Sequence, residues 1–405
     1  MTSTALRMTF LAITLCGLSS RSFAADDLSY RVEISTMLTG TEQHYYTQAR
    51  AAVIPGNVPR FLVTFQETDR YGTHGYRDVF QSESVAHGKS WSKPVRIDNL
   101  QRKTLANGDD VVIGDLSPQW HAATKRVLTT GKIFTFHEST REDRLLERVS
   151  YSVYSPESGA WSGLQLVDMP ATDHSGKPIL APNTGCCQRF DLPDGDILLP
   201  IRYRRQSETL NYTTMVARCR FDGKTLSYVS HGSELNRDKN RGYYEPSVTQ
   251  FQSRYFLTLR ADDTGFVARS ADGLTYEPPV EWKFDDGQVL GTYNTQQHWV
   301  THRDGLFLVY TRRAEDNGHI FRHRAPLYIA KVDPQRLCVI RKSEQVLVPH
   351  NHADLGNFGV VNVSPTETWV IVAEHPATGK RKDDRNGVFL VRIVWEVKKG
   401  VGSRE

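Results

Sequence analysis

The sequence holds 405 residues but only five cysteines. That scarcity excludes a disulfide-built scaffold, which needs a far denser supply. Cys16 lies in the leader described below; the others are Cys186, Cys187, Cys219 and Cys338. They form no C-x-x-C pair, and no H-E-x-x-H or comparable metal spacing occurs. No metal and no cofactor is therefore expected. The vicinal Cys186 and Cys187 read as small buried hydrophobes, with pairing of one of them to Cys219 left open.

Long apolar runs are also missing. Beyond Ala25 nothing approaches the roughly 20 apolar residues of a membrane-spanning helix. No stretch sustains a 3.6-residue period, and the best helical candidate, around Ser139–Glu147, is short and highly charged. Charge of one sign is absent too. Of the 50 basic side chains, Arg7 and Arg21 lie in the leader, so the remainder nearly balances the 46 acidic ones. Such a balance excludes the broad basic footprint of a nucleic-acid binder, though not a local basic pocket.

The N-terminus departs from this pattern. Arg7 precedes the apolar stretch Met8–Leu18, and Ser22-Phe23-Ala24 supplies small residues before Ala25. This reads as a signal peptide over residues 1–24, with export to the periplasm or the extracellular space. Leu15 is bulky where a lipid anchor at Cys16 would want a small residue. Residues 25–405 carry no linker or low-complexity break and are expected to form one domain of unknown oligomeric state.

What fills that domain is strand sequence. Arg60–Phe65, Asp196–Ile201, Tyr255–Leu259, Leu306–Tyr310 and Trp369–Ala373 are short, β-branched or aromatic, and bounded by Gly, Asp, Asn or Pro. A turn pattern recurs between such strands. Ser84-Val-Ala-His-Gly88-Lys-Ser-Trp91 fits S-x-D-x-G-x-x-W except for Ala86 at the acidic position. Ser270-Ala-Asp272-Gly273-Leu-Thr-Tyr276 and Ser155-Pro-Glu157-Ser-Gly159-Ala-Trp161 are shorter versions, with echoes at Asp222-Gly223 and Asp333. Ser and Asp side chains bond turn backbone, Gly takes positive φ, and the aromatic packs beneath. Recurrence every several dozen residues suits four-stranded blades. An all-β, six-bladed β-propeller is expected, running from about Asp27 to Glu396, with Tyr30–Ile34 paired to Gly387–Trp395 to close the ring.

These turns resemble the Asp boxes (BNR repeats) of the sialidase (neuraminidase) superfamily, and a second resemblance runs through most of the chain. Arg50-Ala-Ala-Val-Ile-Pro55 followed by Phe61-Leu-Val-Thr-Phe-Gln-Glu67 looks like the opening arginine strand of sialidases and its partner. Asp78 precedes the first turn as a family aspartate does. Tyr244-Glu245-Pro246 with Arg260 looks like the family glutamate and second arginine. Arg324, before Pro326-Leu-Tyr-Ile329, sits where the third would, and Glu374 looks like the glutamate that supports the first. The resemblance implies that Arg50, Arg260 and Arg324 bind the carboxylate of an acidic sugar, a match for the planar guanidinium fork.

Two departures weaken the chemistry that the resemblance implies. The loop expected to hold an acid/base aspartate reads Tyr71-Gly-Thr73-His74-Gly-Tyr76, leaving His74 or Asp78 as acid. The stretch expected to hold a tyrosine nucleophile reads Leu355-Gly-Asn357-Phe358-Gly359. Glu245 is then either a base on water or on a tyrosine of the Tyr243–Tyr244 pair, or an ion-pair partner for an arginine. His298, in Tyr293-Asn-Thr-Gln-Gln-His298-Trp299, and Trp120 are candidate sugar contacts, as are Tyr293 and Trp299; core packing is the competing reading. His121 reads as structural. Arg312-Arg313 and Arg322 either extend an anion path or form a solvated rim. Three functions fit: a secreted sialidase-like glycoside hydrolase acting on an acidic glycan, a propeller lyase on uronate polymers, and a non-catalytic carbohydrate-binding propeller.

Overall fold

The computed structural model describes residues 28–40, 45–68, 75–137, 140–141, 146–375 and 386–397. The leader, the segment 69–74 with His74, and most of the charged stretch around 139–145 lie outside them. Within that stretch Thr140–Arg141 is a two-residue strand rather than part of a helix.

Six antiparallel sheets stand in a ring, a six-bladed β-propeller. Blade II opens with Tyr45–Ile54, blade III with Asp110–His121, blade IV with Leu180–Asn183, blade V with Tyr244–Phe251 and blade VI with His298–His302. Blade I is built from both ends of the described chain: Asp354–Ser364, Glu367–His375 and Gly387–Val397 are completed by Leu28–Thr39. Tyr30 pairs with Trp395 and Ile34 with Val391, as expected. This closure removes the free edges that an open six-sheet array would expose.

The sequence patterns follow from the packing. Blades meet face to face, so their middle strands are buried on both sides. Glu367–His375 and Ile197–Arg204 are buried at every residue, hence their near-continuous apolar runs. The outermost strand Leu28–Thr39 is never fully buried and can be polar. Each main hydrophobic cluster joins two neighbouring blades. Tyr46, Phe61 and Val63 of blade II meet Trp369 and Ile371 of blade I, and Leu198 and Val216 of blade IV meet Val248 and Leu257 of blade V. Phe61 stacks on Trp369 with ring centroids 4.2 Å apart.

The recurring turns occupy one place in the fold: each joins the third and fourth strands of a blade. Ser84–Trp91 follows Tyr76–Ser84, Ser155 ends Val149–Ser155, and Ser270 ends Gly265–Ser270. Asp222 and Asp333 hold the corresponding positions in blades IV and VI. At Ser270 the hydroxyl accepts from the Asp272 and Gly273 amides while Asp272 accepts from Leu274 and Thr275. Gly273 has φ +79°, and a Cβ there would lie 2.4 Å from Leu198 of the adjacent blade. In blade I that junction is the one between the chain's two ends, so no turn is needed there.

Candidate functional site

The inner strands do not enter the ring smoothly. In blades II to V the register slips early in the inner strand, between Thr47 and Arg50, Gly114 and Ser117, Leu180 and Asn183, and Tyr244 and Ser247. A non-glycine residue with left-handed φ sits in each slip: Gln48 (+55°), Asp115 (+54°), Ala181 (+49°) and Glu245 (+46°). Cys186 (+61°) and Asn294 (+49°) adopt the same conformation just after and just before inner strands. Bulges re-aim side chains, and strained residues persist where surrounding structure over-determines them. Here they turn polar groups toward one end of the ring's axis.

Arg260 and Arg324 meet there through Asn294. Arg260 donates to the Asn294 side-chain oxygen, while Arg324 Nη2 donates to its backbone carbonyl over 3.0 Å. Arg324 Nε also reaches Thr295 Oγ1 at 3.0 Å, and its Nη1 lies 3.8 Å from Asp354. Arg260 is ion-paired to Glu245 and stacks over the Tyr244 ring, 4.7 Å from its centroid. Arg50 Nη1 donates to Gln48 Oε1 at 2.7 Å and to the Leu116 carbonyl at 3.2 Å, and Nη2 to Gln296 Oε1 at 3.2 Å. All three guanidinium groups are buried, and the Nε atoms of Arg50 and Arg260 lack a partner. Two glycines make room for this: a Cβ on Gly356 would lie 2.4 Å from Arg324 Cδ, and one on Gly359 2.5 Å from Arg50 Cγ.

A second layer of charge surrounds Glu245. Lys132 contacts Asp115 at 3.1 Å and Glu147 at 3.6 Å, and Arg202 contacts Glu147 at 3.2 Å. Tyr76 donates to Asp115 and accepts from Gln48. Burial alone would raise the Glu245 carboxyl, but Arg260, Arg202 and Lys132 hold it down to about 2. A carboxylate so stabilised is a weak base, which favours the ion-pair role for Glu245. Burial raises the Tyr244 hydroxyl to about 12 despite Arg260 and Arg241 beside it. That hydroxyl donates to Asp262 at 2.7 Å and receives from Arg241 at 2.7 Å. Burial, Asp115 and other neighbours also push the Cys186 thiol up to about 12. The four described cysteines are free and buried, so none of the pairings held open forms.

The other sequence candidates separate into distinct places. His298 is buried; burial first, then Arg50, hold it down to about 3, so it is neutral. Its Nδ1 bonds Ser247 Oγ at 2.9 Å, its Nε2 has no partner, and its ring packs on Phe358 at 5.0 Å. It lines a pinched space of about 30 Å³ with Arg50 and Gly359. Asn357 is half-buried, and neither its amide nor the Phe358 ring offers a nucleophile. Trp120 lies five residues beyond Asp115 on the same strand and borders a cavity of about 840 Å³ at the far end of the inner strands, with Val53, Gln250, Thr301 and Val361. Asp78 accepts from the Arg102 amide and from Arg96, neither of them a partner of the three arginines. Trp299 is core, its indole N–H bonded to the Ser247 carbonyl, and His121 is tied to Thr124 and the Gly195 carbonyl.

Glu374 is buried at the end of Glu367–His375, but it is not among the acceptors of Arg50. Neutral amide and carbonyl oxygens take the place expected for its carboxylate. The pattern missed by sequence reading is the amide frame, Gln48, Asn294 and Gln296, together with Lys132, Arg202 and Arg241. Arg202 did carry a signal: it interrupts an otherwise apolar run, Ile197-Leu-Leu-Pro-Ile-Arg202, of the kind buried on both faces.

The rim is uneven. Arg241 and Asp262 face Tyr293 and Arg322 across a recess of about 570 Å³. Arg241 is bound to Asp262, whereas Arg322 has no carboxylate partner among the described residues. Burial and then Arg324, Arg260 and Arg241 push Arg322 down to about 10.

Comparison of folds places the six-bladed ring beside solved sialidases. It aligns with Trypanosoma rangeli sialidase at TM-score 0.59 and 13% identity, over 86% of this chain and 55% of that one. A Hadza microbial sialidase aligns at 0.58 and 11%, over 87% and 68%. A protein of unknown function from Dyadobacter fermentans aligns at 0.57 and 13%, over 90% and 99%. The chain thus spans about half the length of the trypanosomal enzyme. No family profile and no curated sequence matches it. At these identities the likeness establishes the fold alone.

Proposed function

We propose that this protein is an exported, sialidase-like propeller that takes a terminal acidic sugar by its carboxylate and cleaves its glycosidic bond. The carrying observation is the Asn294-bridged pair Arg260–Arg324, with cationic charge in excess on the Arg324 side. Burial lowers the Arg324 guanidinium; Asp354 opposes that and Arg260 adds to it. A carboxylate between the two forks would supply the missing counter-charge. Trypanosoma rangeli sialidase has been solved in complex with sialic acid, which supports this choice of sugar.

Cleavage here would not pass through a tyrosine in the segment 355–359. Water would be the nucleophile, Glu245 its candidate base or the anion that stabilises developing positive charge, and His74 the candidate acid, since Asp78 is engaged elsewhere with Arg96 and the Arg102 amide. Tyr244 would hold its proton near neutral pH. That last feature favours a second reading, lyase action on a uronate polymer, in which Tyr244 would donate the proton. Assays of the purified chain on sialosides and on uronate polymers, with calorimetric titration of sialic acid, separate the readings. Release of free sugar supports hydrolysis, an unsaturated product supports the lyase, and saturable binding without turnover indicates a carbohydrate-binding propeller. Absence of binding to any acidic sugar would overturn the proposal.

A further inference from the structure

Three histidines gather on the two segments that hold Arg324. His319 precedes the turn Phe321–His323, and His350 and His352 flank Asn351 just before Asp354–Ser364. One nitrogen from each lies within 4.8 Å of the others. His319 Nε2 stands 3.1 Å from His352 Nδ1, and the three ring centroids are separated by 5.2, 5.6 and 5.7 Å. His352 keeps φ +56°, an uncommon conformation for a non-glycine residue. His350 Nδ1 is buried with no hydrogen-bond partner, while its Nε2 lies 3.7 Å from Asp316.

We propose that His319, His350 and His352 form a site for a divalent transition metal, zinc foremost. Neutral imidazoles are borderline ligands that suit Zn²⁺, Ni²⁺, Cu²⁺ or Co²⁺ and not Ca²⁺ or Mg²⁺. Tetrahedral coordination at about 2.0–2.1 Å sets nitrogens about 3.3 Å apart, so the His319–His352 pair is already near that spacing and one ring must move inward. His350 would ligate through Nδ1, with Asp316 receiving its Nε2 proton, the outer carboxylate that orients a metal-bound histidine. Three protein ligands leave a fourth position for water or a substrate oxygen.

The other histidine group among the described residues behaves differently. His231 and His174 both direct a nitrogen at Glu234, at 3.0 and 3.3 Å, so that group is internally satisfied. At the proposed site, by contrast, a buried nitrogen has nothing to bond. The metal would also have a structural consequence. Leu355 donates its amide to the Arg324 carbonyl at 2.7 Å, and Asp354 faces the Arg324 guanidinium. Joining residue 319 to residues 350 and 352 clamps the loop between them that presents Arg322 and Arg324. The proposal stands whether or not the ligand of those arginines is an acidic sugar.

The test uses the purified chain, freed of metal by chelation and titrated with ZnCl₂ near neutral pH by calorimetry, then with CoCl₂ by visible absorption. One equivalent of zinc should bind, and cobalt should give the intense bands of a four-coordinate site. His319→Ala and His352→Ala, both at exposed positions, should each weaken zinc by about 100-fold and abolish the cobalt bands. His174→Ala should leave both unchanged. Absence of stoichiometric zinc binding by the wild type, weak octahedral cobalt bands, or unaltered zinc affinity in His319→Ala would each overturn the proposal. Loss of binding in His174→Ala alone would assign the metal to the Glu234 group and overturn it equally.

Discussion

Blades V and VI face each other across the same recess and treat the arginines nearest it in opposite ways, although Arg312 farther along blade VI is paired with Glu344. On blade V, Arg260 is matched by Glu245 and Arg241 by Asp262, and Arg237 is paired with Asp263. Following blade V's partner across the recess, Arg324 has Asp354 only at 3.8 Å, and Arg322 and Arg313 have no carboxylate partner among the described residues. A desolvated cation without a carboxylate is unfavourable, so the two sides have different tasks. The blade V side is a closed electrostatic unit that holds its own shape. The blade VI side keeps a demand for an anion that a ligand can meet.

The largest effect should come from breaking the closed unit. Glu245→Gln leaves Arg260 buried and uncompensated, which should cost about 3–5 kcal/mol of stability in urea unfolding. If Glu245 also serves as base, turnover should fall by about 10²–10⁴. The pH dependence follows from the sign of the shift. The folded carboxyl sits at about 2, below its ordinary 4.5. Its contribution is therefore complete above about pH 4.5 and is lost as pH falls toward 2. Wild-type stability should decline across that window more steeply than that of Glu245→Gln; parallel acid limbs would mean that Glu245 is not clamped.

On the open side, Arg324→Lys keeps the charge and loses the fork. Binding of an acidic sugar should weaken by about 1.5–3 kcal/mol in a calorimetric titration, with a smaller change in melting temperature than Glu245→Gln causes. Gly359→Ala tests the third arginine from outside: its Cβ would press on Arg50 Cγ at 2.5 Å. About 1–3 kcal/mol of stability should be lost, along with part of the binding. Unchanged binding in that variant would remove Arg50 from the ligand's surroundings.

The two sides also differed in how far the sequence disclosed them. Strands, turns and ring closure were legible, because alternation, Asp-Gly turns and the terminal strand pattern are local. Arg260 and Glu245 were legible as a pair since they sit at matching ends of one hairpin, Tyr244–Phe251 with Arg254–Arg260. What joins Arg260 to Arg324 was not. Asn294 lies between blades in no strand, and its two bonds exist only once the ring is closed. The expected Glu374–Arg50 pair failed for a related reason. The bulge at Gln48 turns an amide oxygen onto Arg50, and a local backbone slip of that kind leaves no mark in residue spacing. His319 and His350-Asn-His352 are also far apart in sequence and meet only through the loops around Arg324.

The smallest expected effect carries the comparison furthest. Arg322 holds φ +54° on the turn before Arg324, and burial with three neighbouring arginines keeps it near 10. Its folded value lies below the ordinary 12.5, so the charged form is disfavoured by folding at every pH below about 10. Removing the charge should then help or do nothing: Arg322→Ala should change unfolding stability by no more than about 0.5 kcal/mol, on the stabilising side, because the group is partly exposed and screened. Arg241→Ala, which takes the cation from Asp262 and a donor from the Tyr244 hydroxyl while leaving their mutual bond, should destabilise by about 1–3 kcal/mol. Ligand binding should respond in the reverse sense. Arg322→Ala should weaken an acidic sugar by about 2- to 5-fold in low salt, and by less at high ionic strength, since a rim charge acts across solvent. If Arg322→Ala instead destabilises the fold as strongly as Arg241→Ala, blade VI is as self-contained as blade V, and the recess carries no excess charge for a ligand to neutralise.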